Sequence, residues 1–223
     1  MTHPLETIDG QIAAKHLLTH PFYQAWTKGE LSREALRDYA KQYFHHVAAF
    51  PTYLSAVHAH TDDQEMRKHI LANLMDEEAG SPNHPELWLG FAESLGVSAQ
   101  DVKSAVLWDE TRGLVDTFRS ICRNGNPSDG LAALYAYESQ IPAVAESKIH
   151  GLKKYYGLDN PRGLAYFKVH IEADKEHSAV ERKLLAENLD SANGDSACRS
   201  VGQALDSLWE MLSGVCSRHD IAC

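Results

Sequence analysis

Apolar positions recur along this chain at intervals of three and four, and no stretch alternates apolar and polar residues for long, so the pattern predicts helices almost everywhere. Turn residues punctuate it at helix-length intervals, which sets the expected number at seven or eight. A short helix is expected around Ile12 to Leu18. A second follows Pro21, carries Phe22, Tyr23 and Trp26, and is ended by Gly29. Ser32 is placed to cap a long helix through Leu36, Tyr39, Tyr43, Val47 and Leu54, kinked rather than stopped by Pro51. Asp62 followed by Glu65 reads as a capping-box variant opening a helix with the stripe Met66, Ile70 and Leu74 that reaches Glu77.

Gly80 to Asn83 break the chain, and a new helix is expected from about His84 to Leu95. A short helix after Ser98 leads into one from about Val102 to Cys122, and Asn124 to Gly130 reads as the clearest loop. One long helix is expected from Leu131 to Tyr155, kinked at Pro142. Asn160-Pro161 caps and opens another that continues past Leu185. The segment after Gly194 reads as a packing helix. The expectation is an all-α fold, one domain over residues 1–223.

Composition narrows the function. With 43% hydrophobic and 23% charged residues, the chain is of the ordinary globular class. A formal net charge of −10 argues against a broad nucleic-acid surface, which needs clustered Lys and Arg. No apolar run approaches the roughly 20 residues that span a bilayer. Met1 to Gly10 lacks the basic region and apolar core of a signal peptide, so a cytoplasmic protein without membrane contact is expected. Cys122, Cys198, Cys216 and Cys223 are too scattered for a disulfide framework and form no C-x-x-C motif.

The 13 histidines are more informative, because several fall at helical spacing from carboxylates. His170, Asp174 and His177 are spaced by four and three, which places them within about 60° of one another on one helix face. Asp174-x-x-His177 resembles the carboxylate-x-x-His pairing with which helical bundles seat metal pairs, although Glu is the usual acid. Glu138 follows the apolar run Leu131-Ala-Ala-Leu-Tyr-Ala-Tyr, where a buried carboxylate calls for a cation or a hydrogen-bond donor. Glu77 and His84 flank the helix break. The six groups form an oxygen and nitrogen set suited to iron or manganese, and to two ions better than one.

The same spacing also admits a second reading, in which Glu138 pairs with a basic residue and the histidines are ordinary. Tyr39 and Tyr43 read first as core packing, as do Tyr23, Tyr137, Tyr166, Trp26 and Trp88; His45, His46, His58 and His69 read as surface or core polar residues. Lys148 follows Glu138 by ten residues, near three helical turns, and reads as a solvated lysine sharing its face.

Beyond spacing, the chain resembles the family of the Chlamydia protein associating with death domains, within the wider PqqC- and TenA-like group. The resemblance runs from Lys15-His16 and His20-Pro-Phe-Tyr-Gln-Ala-Trp-Thr-Lys-Gly-Glu through Phe50-Pro-Thr-Tyr-Leu-Ser-Ala-Val-His and Leu74-Met-Asp-Glu-Glu-Ala-Gly-Ser-Pro-Asn-His. It continues in Tyr137-Glu-Ser-Gln-Ile-Pro and His170-Ile-Glu-Ala-Asp-Lys-Glu-His and fades after about Leu189.

The resemblance implies a heme-oxygenase-like helical fold but does not imply heme. It implies two metal ions, Fe/Fe or Fe/Mn, on Glu77, His84, Glu138, His170, Asp174 and His177, with O₂ as co-substrate and an external reductant. It further implies synthesis of para-aminobenzoate for folate, with Tyr23 as the ring source, Lys148 as the amine donor and a single turnover. Tyr39, Tyr137 and Tyr166 would then carry an oxidising equivalent.

Other expectations remain open at this point: a dimetal oxygenase acting on a separate small molecule, death-domain binding through a helix face, and a homodimer. Thiaminase-type hydrolysis is disfavoured, since no cysteine neighbours Glu138.

Overall fold

The computed structural model describes residues 3–222, so Cys223 lies outside the described residues. Among them the chain forms eleven α-helices and one 3-10 turn, and no strand. The helices are α1 (Pro4–Ala14), α2 (Pro21–Lys28), α3 (Arg33–His60), α4 (Gln64–Glu78), α5 (His84–Ser94) and α6 (Ala99–Lys103), followed by α7 (Asp109–Asn124), α8 (Pro127–Glu138), α9 (Ile141–Tyr156), α10 (Pro161–Asn188) and α11 (Gly194–Arg218).

Local chemistry explains many of the boundaries. Gly29 ends α2 in the left-handed conformation, φ 73°, which glycine adopts without strain. The Ser32 side chain accepts from Ala35 N, and α3 runs on through Pro51 as expected. Asn83 and Glu86 form a capping box at the start of α5, and Asn160 caps α10 ahead of Pro161.

Four expected boundaries are corrected. The first helix lies earlier, over Pro4–Ala14, with only a 3-10 turn at Leu17–Thr19. Asp63, not Asp62, caps α4 by accepting from Met66 N. The helix expected from about Val102 begins only at Asp109, after the short helix beyond Ser98 ends at Lys103, because the buried Gln42 side chain on α3 pins the connector. Its amide donates to Val106 O at 3.0 Å, and its oxygen accepts from Trp108 N at 3.1 Å and Thr111 Oγ1 at 2.7 Å.

The fourth correction concerns the longest predicted helix, Leu131 to Tyr155. It begins earlier, at Pro127 under an Asn126–Asp129 capping box, and it breaks after Glu138. At the break the Gln140 side chain accepts from Leu17 N at 2.8 Å, a tie to the far end of the sequence. The break makes Glu138 the last residue of α8, and it removes the shared helix face proposed for Glu138 and Lys148.

One buried apolar cluster extends from Leu5 to Cys216. Within it α10 packs against α4, α5, α8 and α9, the helices that carry Glu77, His84, Glu138 and Lys148, while α3 packs on α4, α5, α7 and α8. Among the described residues no helix is long and apolar enough to cross a membrane.

Candidate metal centre

The six candidate ligands converge, and they converge as two groups. Glu77, His84 and His170 form one triplet and Glu138, Asp174 and His177 the other, each with its ligand atoms within 4.8 Å of one another and all six residues buried. In the first, His84 Nδ1 lies 3.0 Å and His170 Nε2 3.9 Å from Glu77 Oε1. In the second, His177 Nδ1 lies 3.8 Å from both Glu138 Oε1 and Asp174 Oδ1.

Secondary structure places these groups against its own electrostatics. Glu77 and Glu138 occupy the last turns of α4 and α8, where the helix dipole disfavours an anion. A cation at that point compensates both carboxylates and both helix ends. The unpartnered atoms point the same way: His177 Nδ1, Glu138 Oε2 and Asp174 Oδ2 are buried with no partner within hydrogen-bond distance. Such atoms are costly unless an ion satisfies them. The donors, three imidazoles and three carboxylates without thiolate, therefore fit a pair of iron or manganese ions.

The outer nitrogen of two imidazoles is already engaged. His170 Nδ1 is 2.7 Å from the Tyr166 carbonyl, and His177 Nε2 is 3.1 Å from Asp76 Oδ2. Burial drives His170 well below the ordinary histidine range, and the neighbouring His84 adds to the effect. His177 differs. Burial opposes its charge, but Asp174, Glu138 and Asp76 outweigh burial and hold the imidazolium up to about 11. Burial raises Asp174, and the charges of Glu138 and Glu77 reinforce it against His177. Metal binding must displace these protons.

The walls between the triplets include Val47, Phe50, Tyr137 and Tyr166 and enclose a cavity of about 10 Å³. Residues 37–209 match the sequence profile of a family described as an iron-containing redox enzyme. A protein of Chlamydia pneumoniae named 4-aminobenzoate synthase is 46% identical over 213 residues, covering 96% of this chain and 95% of that one. A protein of the same name from Nitrosomonas europaea is 44% identical over a 228-residue alignment, covering 98% and 92%.

The chain belongs to this family of iron-containing redox enzymes.

Its architecture agrees. A domain with a heme oxygenase-like fold from Shewanella denitrificans superposes with a TM-score of 0.81 over 96% of this chain and 91% of that one, at 19% identity. The expected heme-oxygenase-like fold is thus the observed one.

In this iron-containing redox enzyme the remaining candidates form an aromatic chamber beside the centre. Lys148 is 3% exposed, which overturns its reading as a solvated lysine. Its amine donates to the Tyr39 hydroxyl at 2.7 Å and lies 5.5 Å from the Tyr23 ring centroid. Burial lowers it to about 7. Tyr23 and Tyr39 hydroxyls are 3.3 Å apart, and Tyr43 donates to Tyr137 at 2.9 Å. Ring contacts connect chamber and centre: His170 to Tyr166 at 4.0 Å, Tyr166 to Trp88 at 4.8 Å, and Trp88 to Tyr43 and Tyr39 at 5.1 and 5.8 Å.

Three residues escaped the sequence reading. Asn73 donates to Glu138 Oε1 at 2.9 Å. Asp76 holds His177. Glu181 is 1% exposed and faces Glu138 with no basic group among the described residues to pair it. The available signal was spacing: Asn73 and Asp76 stand one turn or less before Glu77, and Glu181 one turn after His177.

Proposed function

We propose that this chain is a 4-aminobenzoate synthase that draws its product from its own side chains, once per molecule, with Tyr23 as the ring source and Lys148 as the amine donor. The observation that carries this reading is the burial of Lys148 against the Tyr23 ring, in a chamber joined by ring contacts to His170. The two relatives named 4-aminobenzoate synthase support the product.

Glu77, His84 and His170 would hold one metal ion and Glu138, Asp174 and His177 the other, as Fe/Fe or Fe/Mn. When bound, the pair supplies oxygen activation at the expense of an external reductant. The chain's own residues do the rest. Burial keeps a large fraction of Lys148 as free amine near neutral pH, the form that can act as a nucleophile. The Tyr39 hydroxyl accepts from that amine and stands next to the Tyr23 phenol, so one group orients both. The aromatic walls exclude water. Tyr166, Tyr137 and Tyr39 provide stepping positions between the ligand helix and Tyr23, and the Tyr43–Tyr137 and Tyr39–Tyr23 hydroxyl pairs can move the phenolic protons.

A separate aromatic substrate fits this reading poorly. The cavity among the ligands is about 10 Å³, whereas an aromatic ring needs on the order of 150 Å³. The test is to give metal-free protein ferrous iron, with or without manganese, plus a reductant and O₂. Mass spectrometry then follows both 4-aminobenzoate and the Tyr23 peptide. Product at no more than one equivalent per chain, with side-chain loss at Tyr23, is expected. An intact Tyr23 peptide and no product from metal-loaded protein would overturn the proposal.

A further inference from the structure

The outer shells of the two triplets are built differently. His170 is oriented by a main-chain carbonyl, that of Tyr166, one turn back on its own helix. No side-chain substitution removes that acceptor. His177 is oriented instead by a side chain from another helix, the Asp76 carboxylate on α4.

Asp76 is 59% exposed on its side chain, and an exposed carboxylate beside a histidine ordinarily contributes little. What sets this one apart is the far side of the ring. His177 Nδ1 is buried, has no hydrogen-bond partner, and faces Glu138 Oε1 and Asp174 Oδ1 at 3.8 Å each. A carboxylate can only accept, so Nε2 keeps its hydrogen, and it is Nδ1 that gives up its proton to a metal and turns its lone pair toward the space it shares with the two carboxylates. That is the tautomer and the aim a metal ligand needs. On the same face of α4, Asn73 donates to Glu138 and Glu77 belongs to the first triplet. One short stretch of α4 therefore serves both positions.

We propose that Asp76 is a positioning residue for the Glu138–Asp174–His177 metal position, fixing the tautomer and direction of His177, and that it leaves the Glu77–His84–His170 position untouched. The inference rests on the two-metal reading above. It makes the two positions unequal: in the first, His170 is held by a buried main-chain carbonyl, whereas in the second, His177 is held by a solvent-exposed carboxylate and is the more easily perturbed.

The test titrates the metal-free full chain with Mn²⁺ alone and counts bound ions by loss of the free-ion electron paramagnetic resonance signal. Wild type, Asp76→Ala and Asp76→Asn are compared, with thermal unfolding of each metal-free protein as the check on folding. In Asp76→Ala one ion should bind as in wild type and the other about 10- to 100-fold more weakly. Asp76→Asn, whose amide oxygen still accepts from Nε2, should recover most of the loss. Wild-type affinity for both ions in Asp76→Ala overturns the assignment, and so does equal weakening of both. A wild-type chain that takes up fewer than two ions overturns the two-metal reading itself, and this inference with it.

Discussion

The amine of Lys148 donates to the hydroxyl of Tyr39 at 2.7 Å in a chamber closed to water. No carboxylate is needed to hold it there, since the rings of Tyr23, Tyr39, Tyr43, Trp88 and Phe167 all lie within 5.6 Å of the nitrogen. The arrangement keeps a large fraction of the amine uncharged beside a phenol near neutral pH, and it has a measurable effect on stability.

Burial lowers Lys148 from 10.5 to about 7. Between those values the unfolded chain holds a proton that the folded chain lacks, so stability rises with pH across the window. Below about 7 the full penalty applies, roughly 5 kcal/mol. Lys148→Met loses one hydrogen bond, worth about 1 kcal/mol, and removes that penalty. It should be more stable than wild type by several kcal/mol at pH 6.5, with the difference shrinking toward pH 10. Urea unfolding of metal-free protein at three pH values checks this, and parallel pH profiles for the two proteins would refute it.

The division into triplets predicts separable metal losses. Glu77→Gln should remove the ion of the first position and Asp174→Asn that of the second, each leaving one ion per chain after dialysis. Elemental analysis by plasma mass spectrometry reads the count. If either substitution empties both positions, the triplets do not act as two sites.

Glu181 should destabilise the metal-free protein. Burial raises its carboxyl well above the usual range, with the charge of Glu138 adding to the effect. A raised acid contributes stability that is complete below about pH 4.5 and is lost as pH rises toward the folded value. Glu181→Gln removes that loss, so its advantage over wild type should grow with pH and reach about 1–3 kcal/mol near pH 8. Thermal midpoints at pH 5 and pH 8 supply the comparison, and an advantage independent of pH would contradict it.

Close packing around Trp26 gives a test of the chamber wall. A Cβ on Gly151 would lie 2.6 Å from Trp26 Cδ1 and Nε1, and Trp26 donates to the Lys148 carbonyl at 3.3 Å. Gly151→Ala should lower stability by about 1–3 kcal/mol by displacing that ring. Gly113, exposed on α7 with open space around its Cβ position, is the control. Gly113→Ala should raise stability by about 0.5–1 kcal/mol. Denaturation midpoints moving in the same direction would exclude the packing argument.

The legible parts of the fold were those written in local chemistry. Ser32, Gly29, Asn83 and Asn160-Pro161 act within a few residues of themselves, so the helices they bound were readable. The breaks at 104–108 and after Glu138 were not, because their anchors, Gln42 and the Leu17 amide, arrive from distant segments. Cap chemistry is visible in a sequence only when both partners are near in it.

The same distinction divides the centre. From sequence alone came the ligand types and the common helix face of His170, Asp174 and His177, since helical periodicity fixes which side chains share a face. The resemblance to a known family added Tyr23 and Lys148. Only the tertiary structure decided that Glu77 joins His84 and His170 while Glu138 joins Asp174 and His177, that Lys148 is buried, and that Asn73, Asp76 and Glu181 surround the second triplet. The physical reason is that burial and charge proximity arise where four helices meet. Neither property belongs to any one of them.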